Sequence, residues 1–201
     1  MMGIKRKLLF GILGLCVLLG VVVASVTNAQ TASSEAYDLT NRSLIQYGRY
    51  LVTSVGGCAD CHSAGRDPNN PTWLAGFVQG TPGQPFEVGS FQIYPANITP
   101  DEETGIGNWT AQQVFNALRD GKDKDGNTLC SPMPWPVYRN MTNRDLWSIV
   151  AYLKNGVKPV KNQVPENVGQ NGTRPDCSSL YKDLQPLPRF PGTNEIRPGR
   201  A

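Results

Sequence analysis

The sequence predicts one small helical domain with long loops, packed around something other than protein. Three observations carry that expectation. With 21 Gly and 16 Pro, the 201-residue chain is unsuited to a helical bundle or coiled coil, yet four Trp, six Phe and seven Tyr argue against wholesale disorder. Stretches with helical spacing are present but short. Such short helices bury too little surface to offset the entropy of ordering roughly 120 residues, so a bulky non-protein core is physically attractive.

The chain begins with Lys5-Arg6-Lys7, followed by 8–26 without a single charge. At about 1.5 Å per residue that run spans roughly 28 Å, close to the thickness of a hydrocarbon core. Segment 1–29 is therefore expected to be a membrane anchor or a signal peptide. The run is longer than an ordinary secretory apolar region, while Thr27-Asn28-Ala29 resembles a cleavage site. Cys16 follows Leu15, where lipid attachment calls for a small residue, and reads as one more apolar side chain. Either fate places everything after residue 30 on the periplasmic, extracytoplasmic side, in an oxidising compartment.

Residues 30–40 are small and polar, as expected of a linker. Leu44, Tyr47, Gly48, Leu51 and Val55 follow helical spacing and predict a helix over 41–55, stopped by Gly56-Gly57. From 63 to 100 the prolines and glycines describe a long loop with a short hairpin near 86–94. Thr110 with Gln113 is a capping-box signature and predicts a helix over 111–120. Thr142 caps another over 143–155, with Leu146, Ile149, Val150 and Leu153 on one stripe and Gly156 as its stop. A Pro-rich tail, 163–201, follows.

Charge removes some function classes. The net +3 resides in Lys5, Arg6 and Lys7, and residues 30–201 balance at 16 basic against 16 acidic groups, so nucleic-acid binding has no electrostatic support. Residues 30–153 hold 8 basic and 12 acidic groups, whereas 154–201 hold 8 and 4. A basic tail suits either its own acidic domain or an acidic partner, and Tyr181, Leu184, Leu187, Phe190 and Cys177 favour wrapping.

Cys58-Ala59-Asp60-Cys61-His62 contains the chain's one histidine. C-x-x-C-H is the attachment signature of c-type haem: two thiols form thioethers with the porphyrin vinyls, and the adjacent imidazole becomes the proximal iron ligand. Three rivals are weaker. A thioredoxin-like pair belongs in a βαβ setting that the sequence lacks. Zinc would need Cys130 or Cys177, with His62 too close to Cys61 for ordinary ligand spacing. A plain Cys58–Cys61 disulfide leaves the histidine unexplained.

The sixth iron position calls for a soft donor. Outside the N-terminal segment the methionines are Met133 and Met141. Met133 lies in Ser131-Pro132-Met133-Pro134-Trp135, where prolines can present a thioether at fixed height, and is the expected ligand. Met141 precedes the Thr142 cap and is better placed as a staple against Leu146. With His62 and Met133 both bound, iron takes neither substrate nor oxygen, and the expected function is electron transfer, not catalysis. The competing readings are a haem enzyme or gas sensor with an open sixth site, and an assembly subunit whose haem is structural. Once Cys58 and Cys61 hold haem and Cys16 is set aside, the two remaining thiols predict a Cys130–Cys177 disulfide.

Gly48-Arg49-Tyr50-Leu51-Val52, the C-x-x-C-H motif, Asn97-Ile98-Thr99-Pro100-Asp101, Thr104-Gly105-Ile106-Gly107 with Trp109, Ala117-Leu118-Arg119, Pro132-Met133-Pro134 and Ala151-Tyr152-Leu153 occur in that order. Together they resemble the class I cytochrome c domains in the cytochrome subunits of membrane-bound alcohol and sugar dehydrogenases. The resemblance implies an all-α fold over 41–162 around one covalent haem c, with first and last helices crossing near Gly48 and Tyr152. It implies Arg119, Trp109 and Asn97 as partners of the haem propionates, although each also has a bland reading as a solvated helix residue, core and turn former respectively. It implies redox proteins or a membrane respiratory or dehydrogenase complex as partners, and anchored monohaem subunits of quinol-oxidising complexes fit as well. The far nitrogen of His62 is expected to donate to a backbone carbonyl, with Pro71 as the choice. Those subunits usually carry three such domains, whereas this chain has one C-x-x-C-H. Cys130 stands where they usually have an aromatic residue, and the resemblance does not account for the 163–201 tail.

Overall fold

A computed structural model describes residues 37–169 and 172–184. The expected anchor or signal over 1–29, most of the linker, and Leu187 and Phe190 lie outside the described residues. Among those described, no helix is long and apolar enough to cross a membrane.

Asn41 starts the first helix by accepting the amides of Ser43 and Leu44 at 3.0 and 3.2 Å. Helix α1 (Arg42–Tyr50) does not run unbroken to 55 as expected, because at Leu51 it widens into a π-helical turn, Leu51–Val55. The wider turn closes with the Gly56 amide on the Leu51 carbonyl at 2.7 Å. Next come the single turn α2 (Cys58–His62), α3 (Ala111–Arg119), α4 (Trp135–Tyr138) and α5 (Asn143–Asn155). The expected capping box of Thr110 with Gln113 is present, and the expected cap Thr142 forms a second box with Asp145.

Helix α1 crosses α5 at Gly48. A Cβ there would run into the carbonyl of Ser148 and come within 2.9 Å of the Tyr152 Cβ, so the approach requires glycine. Across the same contact the Tyr47 hydroxyl donates to Asp145 at 2.9 Å. The stripe Leu146, Ile149, Val150 and Leu153 is buried, but so are Trp147, Ser148, Ala151 and Tyr152. The one-stripe expectation is too narrow because α5 is covered on more than one side: Phe115 stacks on Trp147 with ring centroids 4.5 Å apart, and α1 packs at Gly48. Full burial of each such apolar side chain stabilises by about 1.5–3 kcal/mol.

Just before the first described helix, Tyr37 stacks on Trp147 at 6.2 Å and Asn155 donates to the Leu39 carbonyl at 3.1 Å. One expectation needs correction: the described residues are not all-α. The hairpin β1 (Phe86–Val88) and β2 (Phe91–Ile93) takes a third antiparallel strand, β3 (Val168–Gly169), with Phe91 opposite Gly169 and Gln92 opposite Val168. A long loop must find partners for its backbone polar groups, and the returning C-terminal segment supplies them. Farther along, Cys177 is bonded to Cys130 and the Tyr181 ring meets Trp135 edge-on at 4.6 Å.

Candidate haem-binding site

Gly57, at φ +62°, turns the chain through the left-handed region and starts α2. Within one helical turn, residues three and four apart share a face, so Cys58, Cys61 and His62 point the same way. All three line a cavity of about 650 Å³. That volume falls in the ordinary range for a small-molecule or cofactor site, roughly 300–1,000 Å³.

Both motif cysteines are free thiols. Burial pushes the Cys58 thiol up to about 11, and burial also raises that of Cys61. An exchange-active C-x-x-C pair needs a depressed thiol, so the thioredoxin-like alternative loses its chemistry here. Zinc loses its remaining ligands, because Cys130 and Cys177 are joined to each other.

The His62 Nδ1 lies 2.7 Å from the carbonyl oxygen of Ala96, not of Pro71. A carbonyl only accepts, so Nδ1 carries the proton and Nε2 keeps its lone pair. Burial also holds the imidazole below its ordinary pKa of 6.5, opposed by that hydrogen bond. A neutral imidazole with Nε2 free is the form that binds a metal.

Met133 lines the same cavity, whereas Met141 is not on its wall and packs against the core. The Met133 loop is held at both ends. The Met133 amide donates to the Cys130 carbonyl at 3.1 Å. On the other side the buried Trp135 indole donates to the Leu129 carbonyl at 3.2 Å, and its ring fills the space beside Gly121 that a Cβ would need. The Tyr138 hydroxyl, also at the cavity, donates to the Gly56 carbonyl and so ties α4 to the turn before α2. Apolar walls come from Ile98, Val114, Leu118, Ile149 and Leu153. A flat apolar ring system with two thiol attachment points and nitrogen and sulfur donors fits this set of residues.

The three further candidates are placed differently from one another. Trp109 lines the cavity. Its loop is held by Lys154, whose ammonium donates to the carbonyls of Ile106, Gly107 and Trp109 at 3.0, 2.7 and 2.9 Å. Asn97 also reaches the wall, but its amide nitrogen donates to Thr104 Oγ1 and to the carbonyls of Val160 and Asn162 at 3.1, 2.8 and 3.4 Å. Its oxygen accepts from the Thr99 amide and hydroxyl at 3.0 and 2.7 Å, so both ends of the side-chain amide are engaged within the loops. Arg119 is buried away from the cavity wall, with its guanidinium on the Arg139 carbonyl at 3.1 Å and on Asn143 Oδ1 at 2.5 Å. The helical phase of α3 turns Val114, Ala117 and Leu118 to the cavity and leaves Arg119 on the far side.

Sequence reasoning missed Tyr138, Lys154 and the Ala96 carbonyl. Lys154 carried a readable signal, a cation in the last turn of a helix. Tyr138 carried a fainter one, a proline in the first turn of α4. The Ala96 carbonyl carried none, because a backbone group has no sequence signature.

No family model matches the chain. It is 35% identical over 140 residues to the gluconate 2-dehydrogenase cytochrome c subunit of Pantoea cypripedii, covering 69% of this chain and 29% of that protein. It is 34% identical over 156 residues to the cytochrome c subunit of a quinone alcohol dehydrogenase of Gluconacetobacter polyoxogenes, covering 78% and 29%. With the fructose dehydrogenase cytochrome subunit of Gluconobacter japonicus the figures are 35% over 147 residues, covering 73% and 28%. The chain thus spans under a third of the length of these curated relatives.

Proposed function

Proceeding from this homology to dehydrogenase cytochrome c subunits, we propose that the chain is a monohaem c-type cytochrome that carries single electrons between redox partners. The observation that supports the reading is one cavity wall that collects Cys58, Cys61, His62 and Met133 and leaves Met141 out. Cys58 and Cys61 would hold the cofactor as thioethers, with His62 Nε2 and the Met133 sulfur as the donors available to its iron. A haem bound in this way supplies a one-electron couple and no open coordination site.

The protein's own part is positional. The Ala96 carbonyl fixes the tautomer and plane of His62. The Cys130 and Leu129 carbonyls, together with Tyr138, fix the loop that carries Met133. A rigid, largely apolar pocket keeps reorganisation small when the charge changes, and a soft thioether favours the reduced form. The host is a membrane dehydrogenase or respiratory complex, with the domain on the periplasmic side. A dehydrogenase partner is supported by the names of the relatives, and the membrane placement by the uncharged run 8–26 behind Lys5-Arg6-Lys7.

The test is covalent attachment. Protein isolated from a host with c-type maturation should keep its haem through acid–acetone extraction, and mass spectrometry should find the haem mass on the peptide containing Cys58 and Cys61. Complete extraction of haem would end the reading.

A further inference from the structure

The wall of the cavity is apolar apart from a few polar groups, and a haem brings two carboxylates that need partners. Arg119, the cation suggested by resemblance, is buried elsewhere, and the Asn97 amide is held by Thr104, Val160 and Asn162. Among the described residues, Arg174 is the one Lys or Arg that lines the cavity. It belongs to the C-terminal segment, past the 43–162 stretch that carries the cytochrome motifs.

Position and chemistry agree. Three residues after Arg174, Cys177 is bonded to Cys130, itself on the cavity wall, so this stretch is covalently fixed beside the cavity. Arg174 Nη2 donates to Asp123 Oδ2 at 2.6 Å, and the Asp123 side chain is only 10% exposed. That hydrogen bond uses one N–H of a group with five, and the planar fork readily serves a second carboxylate. Asp123 meanwhile accepts the amides of Asp125 and Asn127 at 2.9 and 2.8 Å, which holds the anchoring carboxylate in place.

On the haem reading above, we infer that Arg174 is a cofactor-binding residue: its guanidinium, positioned by Asp123, donates to a carboxylate on the rim of the haem. The C-terminal segment then completes the cofactor site and is more than a covering.

The experiment uses the full-length haem-loaded chain and the variants Arg174→Gln, Arg174→Lys and Asp123→Asn. Haem content is measured first, since failure of the wild type to hold haem covalently overturns the haem reading and this inference together. With haem in place, the resonance Raman propionate-bending band should shift in Arg174→Gln and return towards wild type in Arg174→Lys. Midpoint potentials at one pH should move in opposite directions, falling when the cation is removed and rising in Asp123→Asn, because positive charge nearby disfavours the ferric state. If Arg174→Gln does not load haem, the Asp123→Asn band alone decides, and it should shift as the guanidinium reorients. A propionate band unmoved by the substitutions overturns the inference while leaving the haem reading intact, even if the potentials move through space.

Discussion

The Nδ1 of His62 and the carbonyl oxygen of Ala96 meet at 2.7 Å across 34 residues of chain. Gly76 links the two partners. Its amide donates to the His62 carbonyl at 2.8 Å, and its φ of +80° leaves its open side against 95–97. A Cβ would come within 2.5 Å of the Pro95 oxygen and 2.6 Å of the Ala96 carbon.

Gly76→Ala should therefore displace the Ala96 carbonyl and cost about 1–3 kcal/mol in strain alone. Gly80→Ala is the matched control, with φ +87° but nothing within 4 Å of the new Cβ. Denaturant unfolding should show the larger loss for Gly76→Ala, accompanied by a changed haem absorption spectrum. Equal losses and identical spectra would mean that the close approach to 95–97 has no bearing on His62.

Met133→Ala should leave haem attached through Cys58, Cys61 and His62 while opening an axial position. The ferric form should lose its sulfur-to-iron charge-transfer band and become high-spin, and the ferrous form should bind carbon monoxide readily. Met141→Ala should do neither, since Met141 is off the cavity wall. Immediate carbon monoxide binding by the wild type would instead favour an open-site haem enzyme or sensor.

The Cys130–Cys177 bond closes a sequence separation of 47 residues. In the chain-entropy picture its loss costs about 3–4 kcal/mol. The paired change Cys130→Ala and Cys177→Ala should lower the unfolding free energy by that amount and loosen the neighbouring Met133 loop, so carbon monoxide should bind faster than in the wild type. Unchanged stability would show that packing such as Tyr181 on Trp135 holds the segment without the bond.

Asp101 accepts the Thr104 hydroxyl and amide, both at 2.7 Å, which holds its carboxyl below the ordinary 3.8. The native state then binds fewer protons than the unfolded state, so this contribution is complete above pH 3.8 and is lost as pH falls through the depressed value. Acid unfolding should begin at higher pH in Asp101→Asn only to the extent that other carboxylates remain, and the stability gap from wild type should narrow below that point. A gap that stays constant as pH falls from above 3.8 through the depressed value would remove the ionised carboxylate from the account.

Much of the fold was legible from local signals. The capping box at Thr110, the cap at Thr142 and the 86–94 hairpin depend on residues close in sequence, whereas the crossing at Gly48 came from the family resemblance and rests on the absence of one Cβ. The third strand was not legible, because Val168 and Gly169 carry no strand signal and pair only where the returning chain happens to pass β2.

The sequence by itself determined the chemistry of the site: one C-x-x-C-H turn, one histidine, and a methionine between prolines. Covalent spacing within a single helical turn fixes Cys58, Cys61 and His62 relative to one another before any tertiary contact forms. Only the tertiary structure decided which carbonyl orients His62 and that Arg174 rather than Arg119 stands on the wall. Those outcomes depend on helical phase and on where distant backbone passes, and backbone carbonyls and long-range approach leave no mark in residue type.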